Sequence, residues 1–125
     1  MIASLDHFVL TVRDLKATCA FYTALGMSVR TFGQGRAALH FGRQKINLHQ
    51  AGKEFEPKAA LATPGSADVC FLVDVTLDEV QAAMRRHGIA IIEGPVDKTG
   101  AQGPIRSVYC RDPDGNLIEL SRPIT

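Results

Sequence analysis

Two kinds of periodicity alternate along the chain, and they do so twice. Leu5–Val12 switches between apolar and polar positions and is rich in Val, Leu and Phe, the pattern of a half-buried strand. Asp14 follows as a helix cap; Leu15, Thr18, Tyr22 and Leu25 then fall on one helical stripe, which Gly26 ends. Strands are predicted next near Ser28–Phe32, Ala37–Phe41 and Lys45–Gln50, separated by the turns Gly33-Gln34-Gly35 and Gly42-Arg43-Gln44. After a loop of about sixteen residues rich in Pro, Ala and Gly, the pattern restarts with a strand from Asp68 to Asp74. Thr76-Leu77-Asp78-Glu79 has the spacing of a capping box, opening a helix that stacks Val80, Ala83, Met84 and His87 and stops at Gly88. Strands around Ala90–Glu93, Ile105–Cys110 and Asn116–Ser121 close the second half, the last two joined by the Asp112-Pro113-Asp114-Gly115 turn.

The halves can be laid over each other. Their first strands align His7 with Asp68, their helix stops align Gly26 with Gly88, and their last hairpins align His49 with Glu119. His49 lies seven residues after Gly42, and Glu119 seven after Asp112. The Gly/Pro-rich stretch Gly94–Pro104 is expected to absorb the extra length of the second half as a loop. The expected architecture is α+β: two βαβββ modules, spanning about 4–51 and 67–122 of a single domain 1–125, forming a cupped mixed sheet around a central cavity.

Alternate residues of a strand face opposite sides of its sheet. Phe8, Leu10, Val12, Ile46 and Leu48, and in the second half Val69, Phe71, Val73, Ile118 and Leu120, are all apolar and belong under the helices. The opposite face carries Leu5, His7, Val9 and Thr11, then Asn47 and His49, then Asp68, Cys70 and Leu72, and finally Leu117, Glu119 and Ser121. A merely solvated face would carry Lys, Arg and Thr instead. His7, His49 and Glu119 are therefore the expected metal ligands: two neutral imidazoles and a carboxylate suit one divalent ion among Fe, Mn, Ni and Zn. Asp68 is open between a fourth ligand, an orienting partner for a ligand histidine, and a base.

The totals exclude other classes. The length of 125 residues is enough for a core without disulfides, and the net charge of +1 leaves no electrostatic footprint for nucleic acid or an anionic membrane. Cys19, Cys70 and Cys110 are odd in number and widely spaced, so free buried thiols are expected. With neither a signal peptide nor a membrane span visible, a cytoplasmic location is the default expectation. His87 reads as a cation at a helix C-terminus rather than a catalytic group.

The residues Leu5-Asp6-His7-Phe8-Val9-Leu10-Thr11-Val12-Arg13-Asp14-Leu15, then Phe21-Tyr22 with Leu25-Gly26-Met27, and above all the hairpin Arg111–Leu120 resemble the vicinal oxygen chelate superfamily. This is the superfamily of glyoxalases, bleomycin-resistance proteins, fosfomycin-resistance proteins and extradiol dioxygenases. The stretches Lys53–Ala59, Glu93–Val96 and Thr99-Gly100 look closest to its glyoxalase domain-containing protein 5 subgroup. The resemblance implies a homodimer, a small-molecule substrate and a divalent metal held from the first and fourth strands of each module. Those positions map here to His7, His49, Asp68 and Glu119, with Asp68 standing where histidine is frequent.

It implies an enzyme, a glyoxalase-like lyase or isomerase of the lactoylglutathione lyase type, in which Glu119 or Asp68 removes a carbon-bound proton. Arg106 and Asn47 are the expected substrate contacts, with Lys98 and Arg36 also near the cavity mouth. One rival reading is an Fe(II) extradiol-type dioxygenase with His7, His49 and Glu119 as a facial triad and His40 as a possible base. The other is a metal-free antibiotic-binding protein. The loops 51–66 and 94–104 are long enough to frame a site.

Overall fold

Each repeat folds as a mixed four-stranded sheet with one helix, and local chemistry explains most of the boundaries. The computed structural model describes residues 1–124 and divides into two units, Met1–Ser66 and a second beginning at Ala67. In the first, β1 (His7–Val12) leads into α1 (Leu15–Ala24), followed by β2 (Ser28–Phe32), β3 (Arg36–Phe41) and β4 (Gln44–Gln50). The second repeats the order with β5 (Asp68–Leu72), α2 (Leu77–Arg86), β6 (Glu93–Gly100), β7 (Gly103–Arg111) and β8 (Leu117–Pro123). The sheet orders are β1-β4-β3-β2 and β5-β8-β7-β6, in which β1 with β4 and β5 with β8 are the parallel pairs.

The caps form as expected. The Asp14 carboxylate accepts from the Ala17 amide, and both hydrogen bonds of the Thr76–Glu79 capping box are present. Tyr22 of α1 and Met84 of α2 are fully buried, and Gly26 and Gly88 follow the helices at positive φ. Among the described residues no helix is long and apolar enough to cross a membrane.

Two expectations change. The strand placed at Ala90–Glu93 begins only at Glu93, and the loop placed at Gly94–Pro104 is instead most of the β6–β7 hairpin. Gly94 and Pro95 read as loop residues, but β6 is an edge strand, where a missing N–H is tolerated. The register shifts between Glu93 and Val96, and a Cβ on Gly94 would strike the Ser107 carbonyl oxygen, so only glycine lets the bulge lie against β7. The expected symmetry of the hairpins also fails: β3 and β4 are joined across Gly42-Arg43, whereas β7 and β8 pair from Arg111 to Leu117 around the longer Asp112–Asn116 turn.

That longer turn does structural work. Asp112 Oδ1 accepts from the Asp114 and Asn116 amides at 2.9 and 3.0 Å, and its Oδ2 accepts from Asn116 Nδ2 at 2.8 Å. Asn116 Oδ1 in turn accepts from the Ala67 amide at 2.8 Å, and the Leu117 amide donates to the Ala67 carbonyl. The turn thus pins the start of β5 beside β8, immediately before Asp68. Replacing the buried Asn116 with Ala removes the acceptor of the Ala67 amide and one donor to Asp112 Oδ2. The expected cost is roughly 2–4 kcal/mol, read by urea denaturation; a change below about 0.5 kcal/mol would show that the network is not needed.

Candidate functional site

Strand register decides which polar side chains keep company. In the first unit Phe8 pairs with Ile46 and Leu10 with Leu48, so one face of the parallel pair is apolar and largely buried. The other face runs in rows His7–Lys45, Val9–Asn47 and Thr11–His49. In the second unit Val69 pairs with Ile118 and Phe71 with Leu120, and the opposite face runs Asp68–Leu117, Cys70–Glu119 and Leu72–Ser121. Superposing the apolar rows makes His7 equivalent to Asp68, and Asn47 equivalent to Glu119. His49 corresponds to Ser121. The expected equivalence of His49 with Glu119, counted from the two turns, is therefore corrected by the longer Asp112–Asn116 turn.

The same pattern appears in both units. His7 and Asn47 stand one diagonal apart on adjacent parallel strands, about 8 Å between Cα atoms, and Asp68 and Glu119 repeat that relation. His7 and His49 are instead four residues apart in register, about 13 Å of strand rise, too far apart along the sheet to act as neighbouring ligands of one ion. Among the described residues no three His, Cys, Asp or Glu side chains come together in a group able to hold a metal.

Each position has its own setting. His7 is half-exposed, and its Nδ1 lies 2.7 Å from Asp6 Oδ2, which leaves Nε2 available. This is the arrangement in which a carboxylate orients a ligand imidazole. Asn47 is only 6% exposed, and its Oδ1 has no hydrogen-bond partner. His49 is 4% exposed with Nε2 unpartnered, and its ring meets Phe55 edge-on at 5.5 Å. Burial, helped by the Arg36 charge, moves the His49 pKa down from its ordinary value. His40 lies in the Lys45 row, its pKa also lowered by burial and then by Arg30 and Lys45.

In the second unit Asp68 is exposed at the start of β5. Glu119 is held by a network that the sequence reading missed. Ser107 Oγ donates to Glu119 Oε2 at 2.5 Å and lies 2.6 Å from Ser121 Oγ, which is itself 3.4 Å from Oε2. Tyr109, paired directly with Glu119, also bonds to it; burial first, then the Glu119 charge, push the tyrosine up to about 12. Cys70 Sγ lies 3.2 Å from Ser121 Oγ, and burial is the leading reason its thiol is pushed up. Alternation across the last hairpin was the available signal, because Ser107 and Tyr109 fall in the rows of Ser121 and Glu119.

Arg106 does not join this face. Its row pairs with Arg122 rather than with Glu119, and its side chain grips Asp97 at 2.7 and 3.4 Å on the opposite side of the sheet. Arg106 therefore does not sit beside Glu119; with Arg122 it lines a cavity against the start of α2. Lys98 does share the Glu119 face, 4.0 Å from Glu93 and over the Tyr109 ring. Arg36 shares the His49 face, its guanidinium between the rings of Phe32 and Phe55 at 4.8 and 4.7 Å.

The two thiols of the second sheet differ in burial, Cys70 departing from the buried state expected of it. Cys110 is fully buried, and burial pushes its pKa up to about 11, whereas Cys70 is exposed. A raised thiol pKa favours the neutral form in the fold, so this contribution to stability is present below pH 9 and lost as the pH rises toward about 11. At pH 8 a thiol reagent is expected to label Cys70 in the native protein and Cys110 only on unfolding. Native labelling of Cys110 at the Cys70 rate would contradict this burial.

The family model of the glyoxalase/bleomycin resistance protein/dioxygenase superfamily matches residues 4–120. A glyoxalase domain-containing protein of Mycosarcoma maydis is 60% identical over 120 residues, covering 96% of this chain and 68% of that protein. A virulence protein of Salmonella typhimurium is 55% identical over 123 residues, covering 98% and 85%. The crystal structure of the latter aligns with a TM-score of 0.96 over 99% of both chains. A lactoylglutathione lyase from Agrobacterium tumefaciens (23% identity, TM-score 0.72, covering 98% and 95%) shares the fold. So does an antibiotic-binding protein from a Streptomyces species (22%, 0.76, covering 98% of both). With its paired βαβββ modules and near full-length match, the chain belongs to the glyoxalase/bleomycin resistance protein/dioxygenase superfamily.

Proposed function

We propose that this chain is a divalent-metal-dependent enzyme of the glyoxalase-like lyase or isomerase kind, acting on a small substrate that offers neighbouring oxygens. The observation that carries the reading is the repeated diagonal: His7 with Asn47, and Asp68 with Glu119, at equivalent register positions. The residues fit a divalent cation. Asn47 Oδ1 is a buried acceptor without a donor, His7 offers Nε2 with Asp6 behind it, and Glu119 supplies an oriented carboxylate. One imidazole with oxygen donors accommodates Mn, Fe, Ni or Zn.

In this reading His7 and Asn47 of the first unit and Glu119 of the second are each cation donors, Asn47 taking the role first expected of His49. The cation would polarise the substrate oxygens as a Lewis acid. Ser107, Ser121 and Tyr109 all hydrogen-bond to Glu119, which orients its carboxylate as a metal donor. Asp68, exposed and one diagonal away, is the group assigned to remove the carbon-bound proton. Exposed Val9 and Leu72 on the same faces support assembly as a homodimer, and a cytoplasmic location is part of the reading.

Metal analysis of untagged protein, with turnover of the methylglyoxal–glutathione hemithioacetal under Ni, Zn, Mn and Fe, tests the reading. His7→Ala and Glu119→Gln are expected to lose the metal, while His49→Ala retains it. Asp68→Asn should keep the metal while kcat falls roughly 10²–10⁴-fold. Metal loss in His49→Ala but not in Asn47→Ala would overturn the register-based ligand set. Stoichiometric metal without turnover, but with oxygen uptake on catechols, would favour the dioxygenase reading. Absence of bound metal together with tight small-molecule binding would favour sequestration.

A further inference from the structure

The polar face of the first unit has an unmet donor, an unmet imidazole nitrogen able to donate in one tautomer, and an unmet acceptor. Asn47 Oδ1 lacks a donor or cation, but Arg36 Nε is also buried without a partner, and so is His49 Nε2. Guanidinium nitrogen is donor-only and stays charged, so Arg36 Nε calls for an oxygen acceptor. Leaving such a group buried and unpaired is costly, which makes the omission informative.

Nothing in the first unit supplies that acceptor. The four strands of its sheet carry Arg30, Arg36 and Lys45 and no Asp or Glu. Glu54, whose charge reaches His49, is already engaged, accepting from the Gly52 amide at 2.6 Å and from Lys58 Nζ at 3.3 Å. The amide bond is the main reason its pKa is lowered. Phe55 touches both unmet groups, edge-on to His49 and under the Arg36 guanidinium, and Phe32 takes the guanidinium's other contact. The arginine is therefore held in place by aromatic contacts without its hydrogen bonding being satisfied.

We propose that Arg36 and His49, with Phe55 beside both, form a binding subsite for an oxyanion group, a carboxylate or a phosphonate, on a small ligand. The subsite stands on the first unit alone and does not require metal. His49 and Asn47 are alternate residues of β4, about 7 Å apart. A small acid seated at Arg36 and His49 would thus have its remaining oxygens toward Asn47.

The test uses the whole chain stripped of metal with EDTA and titrated calorimetrically with glycolate and with methylphosphonate. Saturable binding of at least one of them is expected, and the preferred probe identifies the oxyanion. Arg36→Gln and Arg36→Lys should each weaken binding roughly tenfold or more, since lysine keeps the charge but lacks Nε. Lys16→Gln, on α1, should bind as the wild type does. Imidazole ¹⁵N spectra give a readout that does not depend on a variant folding: ligand should move the His49 signal and leave that of His87. Saturable binding of neither probe, or wild-type affinity in both Arg36→Gln and His49→Gln, would overturn the proposal. Because the protein is metal-free throughout, such a failure is distinct from failure of the metal-dependent reading.

Discussion

The parallel pairing of the first and last strands of each repeat is the constraint on which the polar architecture rests. Phe8–Ile46 and Leu10–Leu48 in one unit, and Val69–Ile118 and Phe71–Leu120 in the other, place bulky apolar side chains side by side. A slip of one residue would turn each set to the opposite face, so the register is strongly specified by burial. Once it is specified, the positions of His7, Asn47, Asp68 and Glu119 follow without any attraction among them. The apolar rows do the placing, and the polar rows inherit the placement.

Much of this could be read from the sequence because alternation and capping are local. The Asp14 cap, the Thr76–Glu79 box and the assignment of Leu10, Ile46, Ile118 and Leu120 to one face depend on residues close in the chain. What failed depended on pairing between strands. His49 and Glu119 lie the same distance from the first residues of their turns, but the Asp112–Asn116 turn uses more residues before β8 begins. Equal counting therefore gave unequal positions. Arg106 was misplaced because a surface charge gives no parity signal by itself; only its pairing with Arg122 shows which side it takes. Gly94, Pro95 and Pro104 carry loop chemistry, and only an edge strand with a bulge accommodates them in a hairpin.

The repeats have kept their geometry while diverging in charge. The first sheet has basic residues and no carboxylate on its strands, whereas the second carries Asp68, Glu93, Asp97 and Glu119. Glu93 and Asp97 have basic partners in Lys98 and Arg106, but Glu119 is stabilised by hydroxyls rather than by a cation. Hydroxyl donors orient a carboxylate while leaving its negative charge uncancelled, as the proposed role of Glu119 toward a cation requires. A lysine in the same place would neutralise it.

The contrast extends to what each sheet leaves unmet. Glu119 in the second unit has its donors, yet its register equivalent Asn47 has none at Oδ1; His49 Nε2, further along β4, is also unpartnered, as is the donor Arg36 Nε at the start of β3. An unmet acceptor suits a cation, and unmet donors suit an anion; both occur on one face of one sheet. Buried polar groups are normally paired within the protein, so adjacent omissions of opposite sign are hard to explain as packing defects. Omissions of opposite sign are what the proposed reading requires, a cation at the acceptor and an oxyanion at the donor. Duplication thus accounts for the frame, and the loss of internal pairing at Asn47, His49 and Arg36 accounts for its use.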